Sequence, residues 1–296
     1  MTEFVAVLMS DRRRKILNEE TLERARLRLD GHSPTWLEQG VAAEFGVPRL
    51  PARPESFRDE FDRLGIDLGI VPAANRRKRL LVADMDSTVI MQEGLVELAF
   101  LAGCGDEVAA ITSQAMNGFI NFREALVHRV ELLRGMPASI VDRVWNERID
   151  FTPGARQLVA TMRADGAHCV IVSGGFTLIS GRVAAVLGFQ EHCANDLEIV
   201  DNVLTGRVRP PLLGRESKSE ILVNQMDSLG IDPGDVLAVG DGSNDIDMIS
   251  LAGLGVAFRA KPALAQHSDV RINHSDLTAL LFLQGYKSRE FRRQWP

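Results

Sequence analysis

The stretch LLVADMDSTVI, residues 80–90, carries a strong structural signal. Its first residues are apolar and favour β-structure, as is typical of a buried strand. The strand runs into two aspartates, Asp84 and Asp86, which are separated by a single residue. Carboxylates at the end of a buried strand are costly unless a positive charge compensates them. The stretch therefore predicts a strand that presents two acidic groups to a functional site.

Further apolar stretches predict more strands of the same sheet. They are residues 168–175, 236–242 and 253–258. Helices are predicted around them at residues 155–163, 176–187, 218–229 and 244–251. Strands that alternate with helices indicate βαβ units and a parallel, Rossmann-like sheet, so the predicted class is α/β. Residues 198–208 alternate around Asp201-Asn202, which predicts a hairpin.

The predicted strands end in polar residues, and this places a site at one edge of the sheet. In doubly wound sheets, ligands bind beyond the carboxyl ends of the strands. Asp84, Asp86, Asp241 and Asp245 would share a small volume there. Two like charges about 4 Å apart repel by roughly 4 kcal/mol at an effective dielectric constant of 20. A set of oxygen ligands without His or Cys predicts Mg²⁺.

Other polar residues at these strand ends suit a phosphoryl group. Ser173 is followed by Gly174 and Gly175 at a helix start, where a hydroxyl and backbone N–H groups can hold anionic oxygens. Lys218 opens a predicted helix and supplies a point charge for a phosphate.

The chain divides into three predicted regions. Residues 1–74 form a small α+β module, with strands at 4–10 and 66–72, helices at 18–29 and 55–64, and an irregular middle rich in Gly and Pro. Residues 75–92 and 150–296 form the core. Residues 93–149 carry no strand signal and have helical periodicity, which predicts an all-helical cap inserted after the first core strand. A cap of this kind can close over a site at the sheet edge.

Four motifs together resemble the haloacid dehalogenase superfamily of phosphohydrolases. They are DMDST at 84–88, SGGF at 173–176, Lys218, and GDGSND at 240–245. The resemblance covers residues 80–285 and implies that Asp84 is the nucleophile, which forms an aspartyl phosphate. It implies that Asp86 is the general acid and base. Asp84, the backbone carbonyl of Asp86, and Asp241 would hold Mg²⁺.

The same resemblance implies roles for the neighbouring residues. Ser173, Gly174 and Lys218 would bind the phosphoryl oxygens. The implied supporting residues are Thr88, Gly175, Asn244 and Asp245, and Asn244 would also face the substrate.

The cap resembles the phosphoserine phosphatase subgroup of this superfamily. QEGLVELA contains Glu93, and AMNGFINFREALVHRVELL contains Met116, Phe122 and Arg129. The resemblance implies that Glu93 binds the substrate ammonium, that Arg129 binds its carboxylate, and that the two apolar residues close over it. The implied activity is hydrolysis of O-phospho-L-serine, the last step of phosphorylated serine biosynthesis. Residues 1–74 resemble the ACT-type ligand-binding domains attached to some of these enzymes.

Two alternatives share these motifs. A phosphotransferase would pass the phosphoryl group to an alcohol such as homoserine, and partition between water and added homoserine separates the two activities. A non-catalytic sensor of serine or phosphoserine would not need Asp84 or Asp86, and both are present.

Composition limits the classes of partner and location. The net charge of −6 argues against a nucleic-acid surface. No stretch nears the roughly 20 apolar residues of a membrane span, and the N-terminus lacks a signal-peptide pattern, so a cytoplasmic location is expected. The 3 cysteines have neither CxxC nor CxxH spacing, so neither a disulfide framework nor a zinc site is indicated. Apolar surface on the N-terminal module predicts a homodimer.

Overall fold

The computed structural model describes residues 3–51, 54–116 and 119–293, with the backbone alone at 54, 55, 116 and 122. Its N-terminal region has the element order βαββαβ. The elements are β1 (Phe4–Ser10), α1 (Glu19–Arg28), β2 (Thr35–Glu38), β3 (Ala42–Val47), α2 (Pro54–Asp62) and β4 (Ile66–Pro72). The strands form an antiparallel sheet in the order β2-β3-β1-β4.

Four of these six elements lie where the sequence predicts them. The prediction of an irregular middle is wrong, because β2 and β3 pair there as a hairpin. Gly40, in the left-handed region with a φ of 76°, lies in the turn between them. The βαββαβ order is the one that the ACT resemblance implies, and membership of that domain family stays a prediction.

The second sheet has seven strands and carries the core. They are β5 (Leu80–Ala83), β6 (His168–Phe176), β7 (Glu191–Val200), β8 (Val203–Arg209), β9 (Val236–Gly240), β10 (Leu254–Phe258) and β11 (Val270–Ile272). Their order is β11-β10-β9-β5-β6-β7-β8, and only β8 runs antiparallel to its neighbour. The chain moves from β5 to one side through β6 and later to the other through β9. The carboxyl end of β5 is therefore the topological switch point.

The hairpin predicted at residues 198–208 is confirmed. Val200 pairs with Val203, and the two residues between them, Asp201 and Asn202, have φ values of 49° and 61°. A two-residue turn with both residues left-handed matches the strand twist, and Asp and Asn tolerate that conformation.

Helices surround the core sheet and cover its carboxyl edge. Residues 94–147 contain α3 (Gly94–Ala102), α4 (Gly105–Met116), α5 (Phe122–Glu131) and α6 (Ile140–Glu147). The remaining helices are α7 (Ala155–Ala164), α8 (Thr177–Leu187), α9 (Arg215–Leu229), α10 (Ile246–Leu251), α11 (Pro262–Ala265) and α12 (Ala279–Leu283). In the described part of 93–149 these helices occur without a strand. The division of the chain at 74, 92 and 149 stays a prediction.

Alternate residues of each core strand face opposite layers of helices. Leu81 of β5 belongs to the apolar cluster that contains Leu158 of α7 and Val183 of α8. Val82 belongs to a second cluster with Leu222 of α9. Because both faces of the sheet are buried, its strands read as nearly continuous apolar runs, which is why most of them were predictable.

The N-terminal sheet packs between its own helices and the core. One face contacts α1 and α2, and the other lies against α12. Asp67 of β4 accepts hydrogen bonds from the backbone N–H groups of Asn273 and Ser275, both at 2.8 Å. The approach at Gly69 is close, since a Cβ there would lie 2.4 Å from Cδ2 of Leu283. None of the described helices has the length and hydropathy needed to cross a bilayer.

Candidate active site

Asp84 and Asp86 lie at the switch point, directly after β5. The N–H of Asp84 donates to the carbonyl of Val239 in β9 at 2.9 Å, which extends the strand pairing by one residue. Residues 85–89 then form one wide helical turn, in which Ser87 has a φ of 54°. A left-handed non-glycine residue is unusual and clusters at functional sites. The Ser87 hydroxyl donates to Oε1 of Glu93 at 2.8 Å, so the turn positions that carboxylate.

Lys218 is the central cation of the site. It lies in the first turn of α9 and is 1% exposed. Its Nζ lies 2.8 Å from Oδ1 of Asp84 and 2.6 Å from Oδ1 of Asp245. The two carboxylates raise its pKa against the effect of burial, so Lys218 is charged. The α9 helix starts at Arg215, three residues before the predicted start.

The loop after β9 supplies the other acidic groups. Oδ2 of Asp245 accepts from the backbone N–H groups of Asp241 and Gly242, at 3.2 and 3.1 Å. Oδ2 of Asp241 lies 3.2 Å from Nζ of Lys261. Asp245 therefore has one oxygen on Lys218 and the other on its own loop, which fixes the loop against α9.

The acidic groups outnumber the nearby lysines. Burial and Asp245 raise the pKa of Asp84 well above its ordinary value. Burial, with Glu93 adding to it, raises the pKa of Asp86 to about 8. Burial raises the pKa of Asp241 to about 6, although Lys261 opposes the shift. The site therefore favours a bound proton or a cation.

These residues fit a divalent cation. One carboxylate oxygen from each of Asp84, Asp241 and Asp245 lies within 4.8 Å of the others, and all three side chains are buried. Hard oxygen ligands of this kind suit Mg²⁺, Mn²⁺ or Ca²⁺ rather than softer metals. The three aspartates can hold a divalent metal next to Lys218.

The last residues of β6, where the register with β7 shifts between Val172 and Phe176, form the opposite wall. Oγ of Ser173 accepts from the N–H of Gly175 at 2.9 Å. Glycine keeps the space at position 175 open, because a Cβ there would crowd Oδ2 of Asp86 and Cε of Met85 at 3.0 Å. This end of β6 is held by Asn195 of β7, which is fully buried and donates to the carbonyl of Gly174 at 2.9 Å. Asn195 was not predicted from the sequence, because a lone Asn in a strand carries no motif signal.

The cap contributes a buried cation. Arg129 of α5 is 7% exposed; its Nε donates to the carbonyl of Ala125 at 3.0 Å and its Nη1 to Oγ1 of Thr112 at 3.0 Å. Among the described residues, no carboxylate lies within ion-pair distance of Arg129. Burial lowers its pKa, and the charge of Glu93 opposes this shift.

One cavity joins the sheet edge to the cap. Its lining includes Asp84, Asp86, Glu93, Thr112, Arg129, Ser173, Gly174, Arg215, Asp241 and Asn244. Arg215, which the sequence analysis also missed, pairs with Asp247 through Nε and Oδ2 at 2.7 Å. Thr88 is buried nearby, and its hydroxyl has no hydrogen-bond partner among the described residues. The side chains of Met116 and Phe122 lie outside the described part of the chain.

Comparisons with known proteins agree with this arrangement. Residues 81–250 match the model of the haloacid dehalogenase-like hydrolase family. A phosphoserine phosphatase of Streptomyces coelicolor is 40% identical over 254 residues, which is 84% of this chain and 62% of that protein. One of Archaeoglobus fulgidus is 43% identical over 226 residues, 76% of this chain and 65% of that protein. The chain thus spans less than two thirds of the length of either relative.

Two solved structures show the similarity in three dimensions. A HAD family hydrolase of Salmonella enterica, T0658, aligns over 96% of this chain and 98% of its own, with a TM-score of 0.85 and 27% identity. A substrate-bound phosphoserine phosphatase aligns over 69% of this chain and 97% of its own, with a TM-score of 0.66 and 38% identity.

Proposed function

The chain belongs to the haloacid dehalogenase-like hydrolase family, and from this premise we propose that it hydrolyses O-phospho-L-serine to L-serine and phosphate. The observation that carries the proposal is the cavity between sheet and cap. Its lining includes Asp84, whose carboxylate contacts the buried Lys218 and suits a phosphoryl group. The same lining includes Arg129 and Glu93. A buried guanidinium that has no acidic partner among the described residues, together with a carboxylate in the same cavity, suits the carboxylate and ammonium of an amino acid.

The proposed reaction has two steps. In the first, an oxygen of Asp84 attacks phosphorus, the bond from phosphorus to the serine oxygen breaks, and Asp86 donates its proton to that oxygen. A pKa of about 8 keeps Asp86 protonated at neutral pH, as a donor requires. In the second, a water attacks phosphorus of the aspartyl phosphate while Asp86 takes its proton, and Asp84 leaves as a carboxylate.

The remaining core residues stabilise charge. Ser173, Gly174 and Lys218 would hold the phosphoryl oxygens, with Gly175 and Thr88 in support. Asp84, the backbone carbonyl of Asp86, and Asp241 would hold Mg²⁺, supported by Asp245 and Asn244. When bound, the metal neutralises charge on the phosphoryl group.

The cap residues would select the substrate. Arg129 would pair with the carboxylate and Glu93 with the ammonium, while Met116 and Phe122 would exclude water and Asn244 would face the substrate. A cytoplasmic location and a homodimer stay predictions from the sequence.

Phosphate release from a panel of small esters tests the proposal. The full chain is assayed with L-phosphoserine, phosphoethanolamine, phosphoglycolate and phosphothreonine, with Mg²⁺ and with excess EDTA. We expect selective release from phosphoserine that EDTA abolishes. Metal-dependent release that favours another ester would contradict the substrate assignment and leave the family chemistry intact.

Truncation of Arg129 should separate substrate recognition from chemistry. We expect Arg129→Ala to raise the KM for phosphoserine by about 100-fold, because removal of a buried charged partner costs on the order of 3 kcal/mol. The KM for phosphoethanolamine, which lacks the carboxylate, should stay nearly unchanged. Arg134→Ala, at an exposed position after the same helix, is the matched control. Equal losses on both substrates would show that Arg129 does not bind the carboxylate.

A further inference from the structure

The substrate-facing arginine is itself held by a residue of a different cap helix. Thr112 lies in α4, is 6% exposed and lines the cavity. Its Oγ1 lies 2.8 Å from the carbonyl oxygen of Val108 and 3.0 Å from Nη1 of Arg129. Thr112 therefore links the backbone of α4 to a side chain of α5.

The direction of both hydrogen bonds follows from chemistry. An arginine only donates hydrogen bonds, and a backbone carbonyl only accepts them. The single hydroxyl proton of Thr112 must then go to Val108, and an oxygen lone pair must face Arg129. Both bonds are satisfied at once, so the hydroxyl cannot rotate without breaking one of them.

The two partners of Arg129 fix its plane without neutralising its charge. A free arginine side chain loses about 2 kcal/mol of rotamer entropy when it is ordered. Here Nε is bonded to Ala125 and Nη1 to Thr112, so much of that ordering is already present before a ligand binds. An Asp or Glu in place of Thr112 would pair with the guanidinium and compete with an incoming carboxylate. A neutral acceptor such as Thr112 does not neutralise the charge of the guanidinium. The two hydrogen bonds to Ala125 and Thr112 use two of the five N–H groups of Arg129, and three are not used by them.

We propose that Thr112 is a specificity-determining positioning residue, which orients Arg129 toward the carboxylate of the substrate. The proposal rests on the proposed function, since it deepens the substrate assignment of the same cavity. Thr112 acts through Arg129 and has no part in the chemistry at phosphorus. Its removal should therefore affect esters that carry a carboxylate and spare esters that lack one.

The test compares two substrates across matched variants of the full chain. Thr112→Val keeps the shape of the side chain and removes both hydrogen bonds, and Thr112→Ser keeps the hydroxyl. Thr112→Ala also removes the hydroxyl, and it serves as a second variant if the valine side chain disturbs the packing. Thr161→Val is the control, because Thr161 is also buried in a helix and its Oγ1 accepts a hydrogen bond from the N–H of Arg292, outside the cavity. The readouts are KM and kcat for phosphoserine and phosphoethanolamine, inhibition by inorganic phosphate, and thermal unfolding.

The expected result is a change in KM for one substrate only. Thr112→Val and Thr112→Ala should raise the KM for phosphoserine by about 10- to 100-fold, as expected for the loss of a hydrogen bond to a charged group. They should leave kcat, phosphoethanolamine turnover and phosphate inhibition within about 3-fold of wild type, close to the tenths-of-a-kcal/mol effects of uninvolved sites. Thr112→Ser and Thr161→Val should keep the wild-type preference.

The experiment distinguishes a failure of the role proposed for Thr112 from a failure of the proposed function. If the wild-type protein prefers phosphoserine and the folded valine and alanine variants keep that preference, the role of Thr112 is wrong and the proposed function stands. Equal losses on both substrates also overturn the role of Thr112. So does a Thr112→Ser variant that fails to keep the wild-type preference for phosphoserine. If wild type shows no preference for phosphoserine, the proposed function itself fails, and the role of Thr112 fails with it.

Discussion

Asp84→Asn is expected to lower metal-dependent phosphate release by at least about 10⁴-fold, the scale of losses when a nucleophile is removed. An amide in place of the carboxylate cannot form the acyl phosphate bond. The fold should survive, because Asp84 is buried among other carboxylates and its removal relieves repulsion with Asp245 and Asp241. Lys218 keeps Asp245 as a partner. Phosphate release with excess Mg²⁺ measures the activity, and thermal unfolding measures the stability.

A control variant and the isolation of the labelled phosphoenzyme test whether Asp84 is the nucleophile. Asp227→Asn changes an exposed aspartate of α9 and should leave both readouts at wild-type values. Acid quenching with substrate that carries a labelled phosphoryl group should recover label on wild-type protein and none on Asp84→Asn. Label on the variant, or more than about 1% of wild-type activity against the much larger loss expected here, would show that another residue is the nucleophile.

The sequence predicts where these residues lie because each strand that carries them has a local apolar pattern, while their roles stay predictions. Asp84 and Asp241 each follow an apolar strand, Ser173 lies near the end of another, and parallel strands present their carboxyl ends at one edge. Chain order therefore places these residues together without any knowledge of side-chain contacts. The structure does so, and it adds the distances that make Lys218 a shared partner of Asp84 and Asp245.

The residues that the sequence analysis missed depend on long-range partners. Asn195 donates to the carbonyl of Gly174, and its Oδ1 accepts from the N–H of Leu213 at 2.8 Å, both about 20 positions away. Thr112 contacts Arg129 across the groove between two cap helices. Neither residue belongs to a periodic pattern or a motif, so only the packing of the elements reveals its role. The missed strands β2 and β11 have only 4 and 3 residues, too few to show a period. The missed strand β3 has 6 residues, but it lies among the Gly and Pro residues that indicated an irregular segment.

Lys218→Met should both inactivate and destabilise the protein. The loss of its charge from the phosphoryl site should lower activity by roughly 10²- to 10³-fold, as for other single groups that stabilise developing charge. Removal of one member of a buried ion-pair network usually costs about 3 to 5 kcal/mol of unfolding free energy. Here the cost depends on pH, because Asp84 can take up a proton when it loses its cation. Urea unfolding at pH 5 and pH 8, in EDTA, measures it.

The sign of that dependence follows from the direction of the pKa shift. The pKa of Asp84 is already raised in the folded state, and it should rise further without Lys218. The folded variant then binds more protons than the unfolded chain above the ordinary pKa of an aspartate, so it loses stability as pH rises. The deficit relative to wild type should be larger at pH 8 than at pH 5. Lys15→Met, at an exposed position, should show no deficit at either pH. An equal deficit at both values would mean that lost packing, and not the charge on Nζ, is what Lys218 contributes to stability.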